Sequence, residues 1–561
     1  MKGGSVLANN KDKLKVIPLG GLGEVGKNIT VFEYKNDIIV VDTGTSFPDE
    51  EMYGIDLVIP DLTYLIKNKS RVKGIVLTHG HEDHIGSLPY LLKEVNAPVY
   101  ATRLTLGLVE LKLIEHNLLD VSDLRIIKAG DKINLGQFNI EFMNVNHSIA
   151  DSVALAIRCG DILVVHTSDF KIDFTPIDGK QTDLHRFSEL GKEGVTLLLA
   201  DSTNVERPGY TVSESIVGET FLELFRGVES RIIVATFASN IHRVQQIINA
   251  AAHYNRKVVV SGRSMVNVVS VSSELGYLKI PKGTLIDIND IKKYSDDQIV
   301  IITTGSQGEP MSGLSRMSVS EHRKLQISKG DLVIISATPI PGNEKTVSQV
   351  INQLFELGAN VIYEKLAEVH VSGHACQEEL KLIHSLIKPK YFLPVHGEYR
   401  MLMQHSQLAE KLGMAKENIF VAEIGSVLEL DNDTAKISGR VPAGQTLVDG
   451  LGVGDVGSIV LRDRRHLSQD GLFIVVVSFD SEKGKVVSGP DVISRGFVYV
   501  RESGNLIEEA KSVVRDALQS CEEKQITDWA TIKSTIRDSL REFLYEKTKR
   551  KPMILPIIMD V

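Results

Sequence analysis

Thr78-His79-Gly80-His81-Glu82-Asp83-His84 is a histidine-rich segment that directly follows a short β-rich run ending at Leu77. Its three histidines and its aspartate form the pattern H-x-H-x-D-H. Alternate side chains of an extended segment point the same way, so His79 and His81 can bind one ion together. The aspartate and the last histidine lie past a turn and can reach a second ion. Nitrogen and oxygen ligands without a thiolate favour Zn²⁺ or Mn²⁺ at a hydrolytic site.

Four more residues of ligand chemistry lie in distant loops, each shortly after a predicted strand. They are Asp42, His147, Asp169 and His396. Loops at strand ends commonly build functional sites. Taken singly, each of these residues is about as well explained as a turn former or a core residue, so spacing alone does not assign them.

Size and composition set broad limits on the chain. Its 561 residues predict about three domains, since one core rarely exceeds ~250–300 residues. A net charge of −9 neither indicates nor excludes a nucleic-acid partner, because only a local basic groove is needed. Three unpaired cysteines, no secretory signal at the start and no apolar run long enough for a bilayer favour the cytoplasm.

The order of predicted elements indicates an inserted unit. Short strands dominate the first two hundred residues, with helices between some of them. Between residues 205 and 360, strands and helices alternate as in a parallel α/β unit, with one helix expected near Glu321–Gln326. Strand–loop–helix units then return in residues 361–433. We expect a β-run to be followed by a basic cluster, Arg462, Arg464, Arg465 and His466. The cluster could line a path for RNA, but an ordinary solvent-exposed face explains these charges equally well.

Gly21-Leu22-Gly23-Glu24-Val25-Gly26 matches the dinucleotide fingerprint G-x-G-x-x-G. That fingerprint requires a helix directly after the glycines, so that the helix N-terminus faces the pyrophosphate. The residues that follow, NITVFEYKNDIIVVD, predict a hairpin of strands instead. We therefore predict a glycine turn between strands and no cofactor site.

Jointly, the ligand-type residues resemble the ligand set of the metallo-β-lactamase fold. The resemblance implies one ion on His79, His81 and His147, and a second on Asp83, His84 and His396. Asp169 would bridge the two ions, and Asp42 would hold a ligand in place without binding an ion itself. Zn²⁺ is the expected metal, with Mn²⁺ as the alternative. A bridging carboxylate keeps two cations ~3.5–4 Å apart, as hydrolysis of a phosphodiester requires.

A long α/β insertion before the last ligand resembles the β-CASP arrangement of nucleases. Longer strings, among them GGLGEVGKN, THGHEDHIGSLPYLL, GKEGVTLLLADSTN, HGEYRM and SGPDVISRGFVYVRESG, resemble the ribonuclease J family from about Leu14 to Val561. The implied fold is α/β: a metallo-β-lactamase αββα sandwich with an inserted β-CASP α/β domain and a small C-terminal α/β domain. We expect an N-terminal extension at 1–13, the first domain at 14–204 and 361–433, the insertion at 205–360, a linker at 434–465 and the C-terminal domain at 466–561.

Residue roles also follow from the resemblance. Asp201 and His374 would form the pair that transfers a proton to the leaving 3′ oxygen. The loop His370, Val371, Ser372, Gly373 and His374 would hold the scissile phosphate and its neighbour. Ser239 and Asn240 would seat a terminal 5′ phosphate, although capping of the helix that follows explains them equally well.

Two features concern details of the resemblance. The family usually has glycine where this chain has Ser168, so a left-handed turn there would strain serine and could shift Asp169 slightly. Relatives also carry a structural calcium ion near positions that correspond to Tyr53, Ile55 and Asp449. A single aspartate in a glycine-rich turn is weak support for such a site.

The function implied is a ribonuclease that degrades RNA from a 5′-monophosphate end and also cuts internally. The resemblance implies single-stranded RNA as partner and a homodimer or homotetramer, with a paralogous subunit as a further option. Three alternatives stay open: a small-molecule hydrolase on the same fold, a catalytically weak RNA-binding assembly subunit, and the DNA-directed branch of the superfamily. The complete ligand set argues against the second, and a histidine at position 396 argues against the third.

Overall fold

The computed structural model describes residues 12–49, 51–306, 312–339, 343–480, 485–498 and 504–561. Most of the expected N-terminal extension lies outside these residues. The chain forms two compact units: Met1–Ser46 with Val58–Thr446, and Phe47–Leu57 with Leu447–Val561. The finer domain boundaries given above stay predictions.

The strands are β1 (Leu14–Gly20), β2 (Leu22–Gly23), β3 (Ile29–Tyr34), β4 (Asp37–Val41), β5 (Leu57–Pro60), β6 (Val72–Val76), β7 (Val99–Thr102), β8 (Leu124–Ile127), β9 (Lys132–Leu135), β10 (Phe138–Asn144), β11 (Val153–Cys159), β12 (Ile162–His166), β13 (Leu197–Asp201), β14 (Ile232–Ala235), β15 (Lys257–Ser261), β16 (Ile299–Thr303), β17 (Leu332–Ile335), β18 (Asn360–Ile362), β19 (Tyr391–Val395), β20 (Gly397–Glu398), β21 (Ser426–Leu430), β22 (Ala435–Arg440), β23 (Gln445–Asp449), β24 (Gly452–Val453), β25 (Leu472–Asp480), β26 (Lys485–Arg495) and β27 (Met553–Asp560).

The α-helices are α1 (Thr63–Lys67), α2 (Glu82–Ile85), α3 (Leu88–Glu94), α4 (Arg103–Glu115), α5 (Leu184–Glu193), α6 (Ser215–Phe225), α7 (Ile241–His253), α8 (Arg263–Glu274), α9 (Gly313–Ser318), α10 (Glu344–Glu356), α11 (Gln377–Ile387), α12 (Tyr399–Lys411), α13 (Ser458–Asp470), α14 (Gly504–Glu523) and α15 (Trp529–Thr548). Among the described helices, none combines the length and the apolar character that a bilayer crossing requires.

The first unit contains a two-sheet sandwich. One sheet has the strand order β22-β21-β1-β3-β4-β6-β7-β8 and the other β19-β13-β12-β11-β10-β9. Apolar side chains of both sheets form one buried cluster, which includes Phe32, Phe138 and Leu199. A separate cluster packs α3 and α4 on the outer face of the first sheet, and another packs α5 and α11 on the second. This layering confirms the predicted αββα sandwich.

The inserted part forms a third sheet of the first unit. Its strands, in the order β15-β16-β14-β17-β18, all pair in parallel. They are apolar runs buried between helices, as parallel sheets require, so the predicted α/β insertion is confirmed.

The prediction of a helix near Glu321–Gln326 is wrong. The helix of this region is α9, which ends at Ser318, and Arg316 O accepts backbone hydrogen bonds from the N–H groups of residues 321 and 322. His322 Nδ1 then accepts the N–H of Leu325 at 3.0 Å. A side chain that bonds to nearby backbone in this way competes with helix formation.

The second unit is built on the sheet β26-β25-β27. Residues of β25 alternate between buried and half-buried, and Phe473 and Val475 pack with α14 and α15 in one apolar cluster. The basic cluster does not follow a strand, because Arg462, Arg464 and Arg465 lie on α13. No residue of α13 is buried, so this helix lacks the buried apolar face by which a sequence indicates a helix.

Candidate metal centre and catalytic pair

The histidine-rich segment begins where β6 ends and runs into α2. The neighbouring strand β4 brings Asp42 beside it, since the N–H of Asp42 donates to Val76 O at 2.9 Å. Asp42 Oδ1 accepts the N–H of Thr78 at 2.8 Å. Its Oδ2 lies 2.8 Å from Nδ1 of His84. An imidazole that donates from Nδ1 keeps the lone pair of Nε2 free for an ion.

His79, His81 and His147 form the first cluster, with one ring nitrogen of each within 4.8 Å of the others. His81 Nδ1 lies 3.1 Å from His79 Nε2 and 3.0 Å from His147 Nε2. The Nδ1 atom of His147 donates to the carbonyl of Gly373 at 2.7 Å. Three convergent nitrogen atoms can therefore hold one divalent cation.

The protonation of the first cluster suits metal binding. Burial is the main cause that lowers the pKa of His81 to about 4. Burial, reinforced by a neighbouring histidine, also holds the pKa of His79 and of His147 well below its ordinary value. These imidazoles are therefore neutral at neutral pH, as metal ligands must be.

Asp83, His84, Asp169 and His396 form the second cluster, again with ligand atoms within 4.8 Å of one another. His396 Nε2 lies 3.2 Å from Asp83 Oδ2. His396 adopts a left-handed backbone, with φ of 53°, directly after β19. Its N–H donates to Gly21 O at 2.9 Å, which fixes the ring over the second cluster.

Asp169 belongs to the second cluster and also faces the first. Its Oδ2 is 3.1 Å from Nε2 of His84 and 3.5 Å from Nε2 of His396. The same oxygen is 3.7 Å from Nε2 of His79 and 3.8 Å from Nε2 of His147. One carboxylate oxygen thus faces imidazoles of both clusters, which is the arrangement that a bridging ligand requires.

Ser168, next to the bridging position, has φ of 58°. The turn therefore does demand a left-handed conformation. The side chain is buried, with its Oγ 3.4 Å from Nδ1 of His79. Next to this left-handed serine, Asp169 faces imidazoles of both clusters.

Asp201 and His374 lie at the edge of the second cluster. Asp201 ends β13, and its Oδ2 accepts a hydrogen bond from Nδ1 of His374 at 2.7 Å. Burial acts to lower the pKa of His374, but the facing carboxylate outweighs burial and the net shift is upward. The Asp201 side chain is 1% exposed and the His374 side chain 21%, so the imidazole is the member that substrate can reach.

Thr203 is a contact residue that sequence reasoning missed. Its Oγ1 donates to Asp201 Oδ1 at 2.7 Å and lies 2.5 Å from Nδ1 of His396. The hydroxyl thus connects a candidate ligand with the candidate proton-transfer pair. The only signal in the sequence was its place two residues after Asp201 in the same turn.

The loop from His370 to His374 is held by contacts with several elements. Ser372 Oγ accepts from Nδ2 of Asn204 at 2.8 Å and from the N–H of His374 at 3.2 Å. Nη2 of Arg243 lies 3.4 Å from Val371 O. Burial lowers the pKa of His370 well below its ordinary value, so this ring is neutral.

Asn240 caps α7, because its side chain accepts the N–H of Arg243 at 3.0 Å. The capping explanation of this residue is therefore confirmed. Asn240 is buried and Ser239 is half-buried beside the cap. Phosphate binding by these residues stays a prediction.

The residues expected to hold calcium do not fit that ion in this structure. The guanidinium of Arg464 donates to Tyr53 O at 2.9 Å and also pairs with the carboxylate of Asp449. It therefore supplies positive charge to the oxygen atoms that a cation would need. Ile55 donates its backbone N–H to Met52 O.

Family models match four parts of the chain. They are a metallo-β-lactamase superfamily model at 22–116, the ribonuclease J β-CASP domain at 229–354, a Zn-dependent metallo-hydrolase RNA specificity domain at 359–422 and the ribonuclease J C-terminal domain at 459–561. Together they cover both sides of the insertion and most of the second unit.

Similar proteins share nearly the full length of the chain. Ribonuclease J2 of Bacillus subtilis (strain 168) is 48% identical over 552 residues, which are 98% of this chain and 99% of that protein. Ribonuclease J 1 of Streptococcus pyogenes serotype M3 is 45% identical over 548 residues, 98% of each chain.

A crystal structure of a protein of unknown function from Enterococcus faecalis V583 matches with a TM-score of 0.54 and 18% identity, and covers 74% of this chain and 100% of that one. At that identity the likeness shows the fold alone. The two ribonucleases are 45–48% identical over nearly the full length of the chain, and four domain models match it. The chain therefore belongs to the ribonuclease J family, whose domains bind divalent metal ions and RNA.

Proposed function

We propose that this metal-dependent ribonuclease removes nucleotides from 5′-monophosphate ends of single-stranded RNA and also cuts RNA internally. The observation that carries the proposal is the position of Asp169 between two clusters of neutral or carboxylate-paired imidazoles. In this proposal one ion binds to His79, His81 and His147, and the other to Asp83, His84 and His396. We favour Zn²⁺ because all the donors are nitrogen or carboxylate oxygen, with Mn²⁺ as the alternative.

Bound divalent ions would acidify a water molecule and offset charge on the scissile phosphate. The protein residues perform the remaining steps. The phosphorus–O3′ bond breaks as water adds, and the leaving oxygen needs a proton. His374 supplies that proton, since Asp201 raises the pKa of the ring and so favours its protonated form, and the ring is partly exposed.

Recognition of the 5′ end would use the start of α7 and the loop of residues 370–374. The N-terminus of a helix carries unpaired N–H groups and a partial positive charge, which favour a phosphate. The side chain of Asn240 accepts the N–H of Arg243, and the N–H of Ile241 bonds to Ser239 O, so the N–H of His242 would be the backbone donor for a ligand at the start of α7. Ser239 would add a hydroxyl donor.

We propose three further properties from the same family membership. The chain forms a homodimer or homotetramer, with association to a paralogous subunit as an option. It works in the cytoplasm, where its three cysteines, which are free and buried, stay reduced. Its reactions contribute to RNA maturation and mRNA decay.

The test uses a short single-stranded RNA labelled at the 3′ end, with a 5′ monophosphate, triphosphate or hydroxyl. We expect stepwise shortening of the 5′-monophosphate substrate in the presence of Zn²⁺ or Mn²⁺, and none with His81→Ala. The matched control is His185→Ala, because His185 is a surface histidine whose Nδ1 lies 3.4 Å from Oε1 of Glu189.

Internal cuts that ignore the 5′ group would keep the ribonuclease but overturn the assignment of Ser239 and Asn240. Absence of any cleavage by metal-loaded protein would favour an assembly subunit. Hydrolysis of a lactone or thioester in place of RNA would favour the small-molecule alternative.

A further inference from the structure

The glycine-rich loop of residues 21–28, excluded above as a cofactor site, contacts the second metal cluster. The strand β3 follows it directly, so it lacks the helix that a dinucleotide requires. What it offers instead is a set of contacts with Asp83, His84 and His396. We refer to residues 21–28 as the glycine loop.

Asn28 makes the side-chain contacts of the glycine loop. Its Nδ2 donates to the backbone O of Asp83 at 3.1 Å and lies 3.4 Å from Oδ2 of the same residue. It also lies 3.1 Å from Nε2 of His84. The opposite amide orientation would place an oxygen against the two Asp83 oxygens, so the donor side must face them.

Backbone contacts fix Asn28 in the same place. Its N–H donates to Asp83 O at 3.0 Å, and its own carbonyl accepts from Gly44 at 2.9 Å. A Cβ atom at Gly44 would lie 1.6 Å from Asp83 O, so only glycine allows these segments to cross. These backbone contacts therefore fix the position of the Asn28 side chain beside Asp83.

The other end of the glycine loop contacts the last ligand. Gly21 O accepts the N–H of His396, and Leu22–Gly23 pairs in parallel with Gly397–Glu398. The loop is closed by an ion pair between the buried Nζ of Lys27 and Glu24 at 2.9 Å. Glu24 also accepts the N–H of Gly21 at 3.3 Å.

We propose that the glycine loop is the element that positions the second ion's ligands, with Asn28 as its positioning residue. The inference rests on the ligand assignment made under Proposed function. An amide group has two hydrogen atoms, which match the two Asp83 oxygens once the lone pair of His84 is used by an ion. Asn28 would thus orient the carboxylate of Asp83 without binding the ion itself.

The experiment compares Asn28→Ala with Asn432→Ala in the full chain. Asn432 is half-buried like Asn28 and makes side-chain bonds to Asp161 O at 2.9 Å and to Thr196 at 2.7 Å, in contact with no candidate ligand. Chelator-stripped protein is titrated with Zn²⁺, and bound metal per chain is measured by equilibrium dialysis. Asn28→Ser serves if the alanine variant does not fold.

We expect two ions on the wild type and on Asn432→Ala. In Asn28→Ala one ion should bind about 10–100-fold more weakly while the other is unchanged. If both ions bind Asn28→Ala as tightly as they bind the wild type, the role of Asn28 is overturned and the ligand assignment stays intact. A wild-type chain that binds fewer than two ions would overturn both. A loss in Asn432→Ala equal to that in Asn28→Ala would show general destabilisation and overturn the positioning role.

Discussion

Nδ1 of His374 donates to Oδ2 of Asp201 across 2.7 Å, although the two residues are 173 positions apart in the chain. Burial acts to raise the pKa of Asp201, but the imidazoles of His374 and His396 outweigh it and the net shift is downward. The pKa of His374 shifts upward in return. The pair therefore favours a carboxylate facing an imidazolium, which is the form that can give a proton to a leaving oxygen.

Asp201→Asn should lower the rate of RNA hydrolysis about 10²–10⁴-fold, the usual contribution of a general acid. Without the carboxylate, the pKa of His374 falls. Since His374 must be protonated to act, the alkaline limb of the kcat/KM profile moves to lower pH. The measurement is the pH dependence of hydrolysis of a short 5′-monophosphate RNA. An unchanged profile would contradict the role of the pair.

Ser168→Gly should stabilise the metal-free protein, because a non-glycine residue in the left-handed region costs about 1–2 kcal/mol. The glycine variant gives back about 0.5–1 kcal/mol of this gain, because its unfolded chain is more flexible and loses more entropy on folding. The free energy of unfolding, measured with denaturant, should rise by up to about 1.5 kcal/mol. Ser168→Ala is the control, since it keeps the strain and removes the hydroxyl near His79. A fall in stability with glycine would show that the hydroxyl contact matters more than the strain.

Arg243→Met should destabilise the first unit by about 3–5 kcal/mol, because it leaves the buried carboxylate of Glu214 unpaired. Arg243 is fully buried, and Nε and Nη2 each donate to Glu214 at 2.9 Å. The double variant Arg243→Met/Glu214→Leu should lose less than the sum of the two single variants. A double-mutant cycle of unfolding free energies measures the difference.

The exposed pair Arg440–Glu423 is the matched control, with side chains 61% and 70% exposed. Breaking it should cost about 0–1 kcal/mol, as for other surface ion pairs. Additive effects at Arg243 and Glu214 would contradict direct coupling between them.

Removal of metal should lower the thermal midpoint of the protein. The ligands converge only in the folded chain, so an ion present at 100 times its dissociation constant stabilises the fold by about 2.7 kcal/mol. Midpoints measured by calorimetry against Zn²⁺ concentration should rise for the wild type and for His185→Ala. They should rise less for His81→Ala. Equal increases in all three would contradict the assignment of His81 as a ligand.

Several features of the site could be predicted from the sequence alone. The spacing of His79, His81, Asp83 and His84 is local, and a short turn after a strand can bring such residues together whatever the rest of the chain does. The rejection of the G-x-G-x-x-G match was also a local matter, because the residues after it favour strands, and β3 confirms this. The assignment of distant ligands depended on the family resemblance.

Tertiary structure decided the features that depend on which strands become neighbours. The glycine loop reaches His396 because β2 pairs with β20, some 375 positions further along the chain by the register Leu22↔Gly397. It reaches Asp83 through Asn28, whose backbone bonds to Asp83 and Gly44. The roles of Thr203 and Ser168 also depend on tertiary structure. The contacts of the Thr203 hydroxyl and the left-handed turn at Ser168 can be recognised only when the positions of the surrounding residues are known. The bonds of Arg464 to Tyr53 and Asp449 likewise join residues that are distant in the sequence. Residue type and short spacing thus determine which ligand and proton-transfer groups the chain offers. Long-range backbone pairing determines which of these groups come into contact.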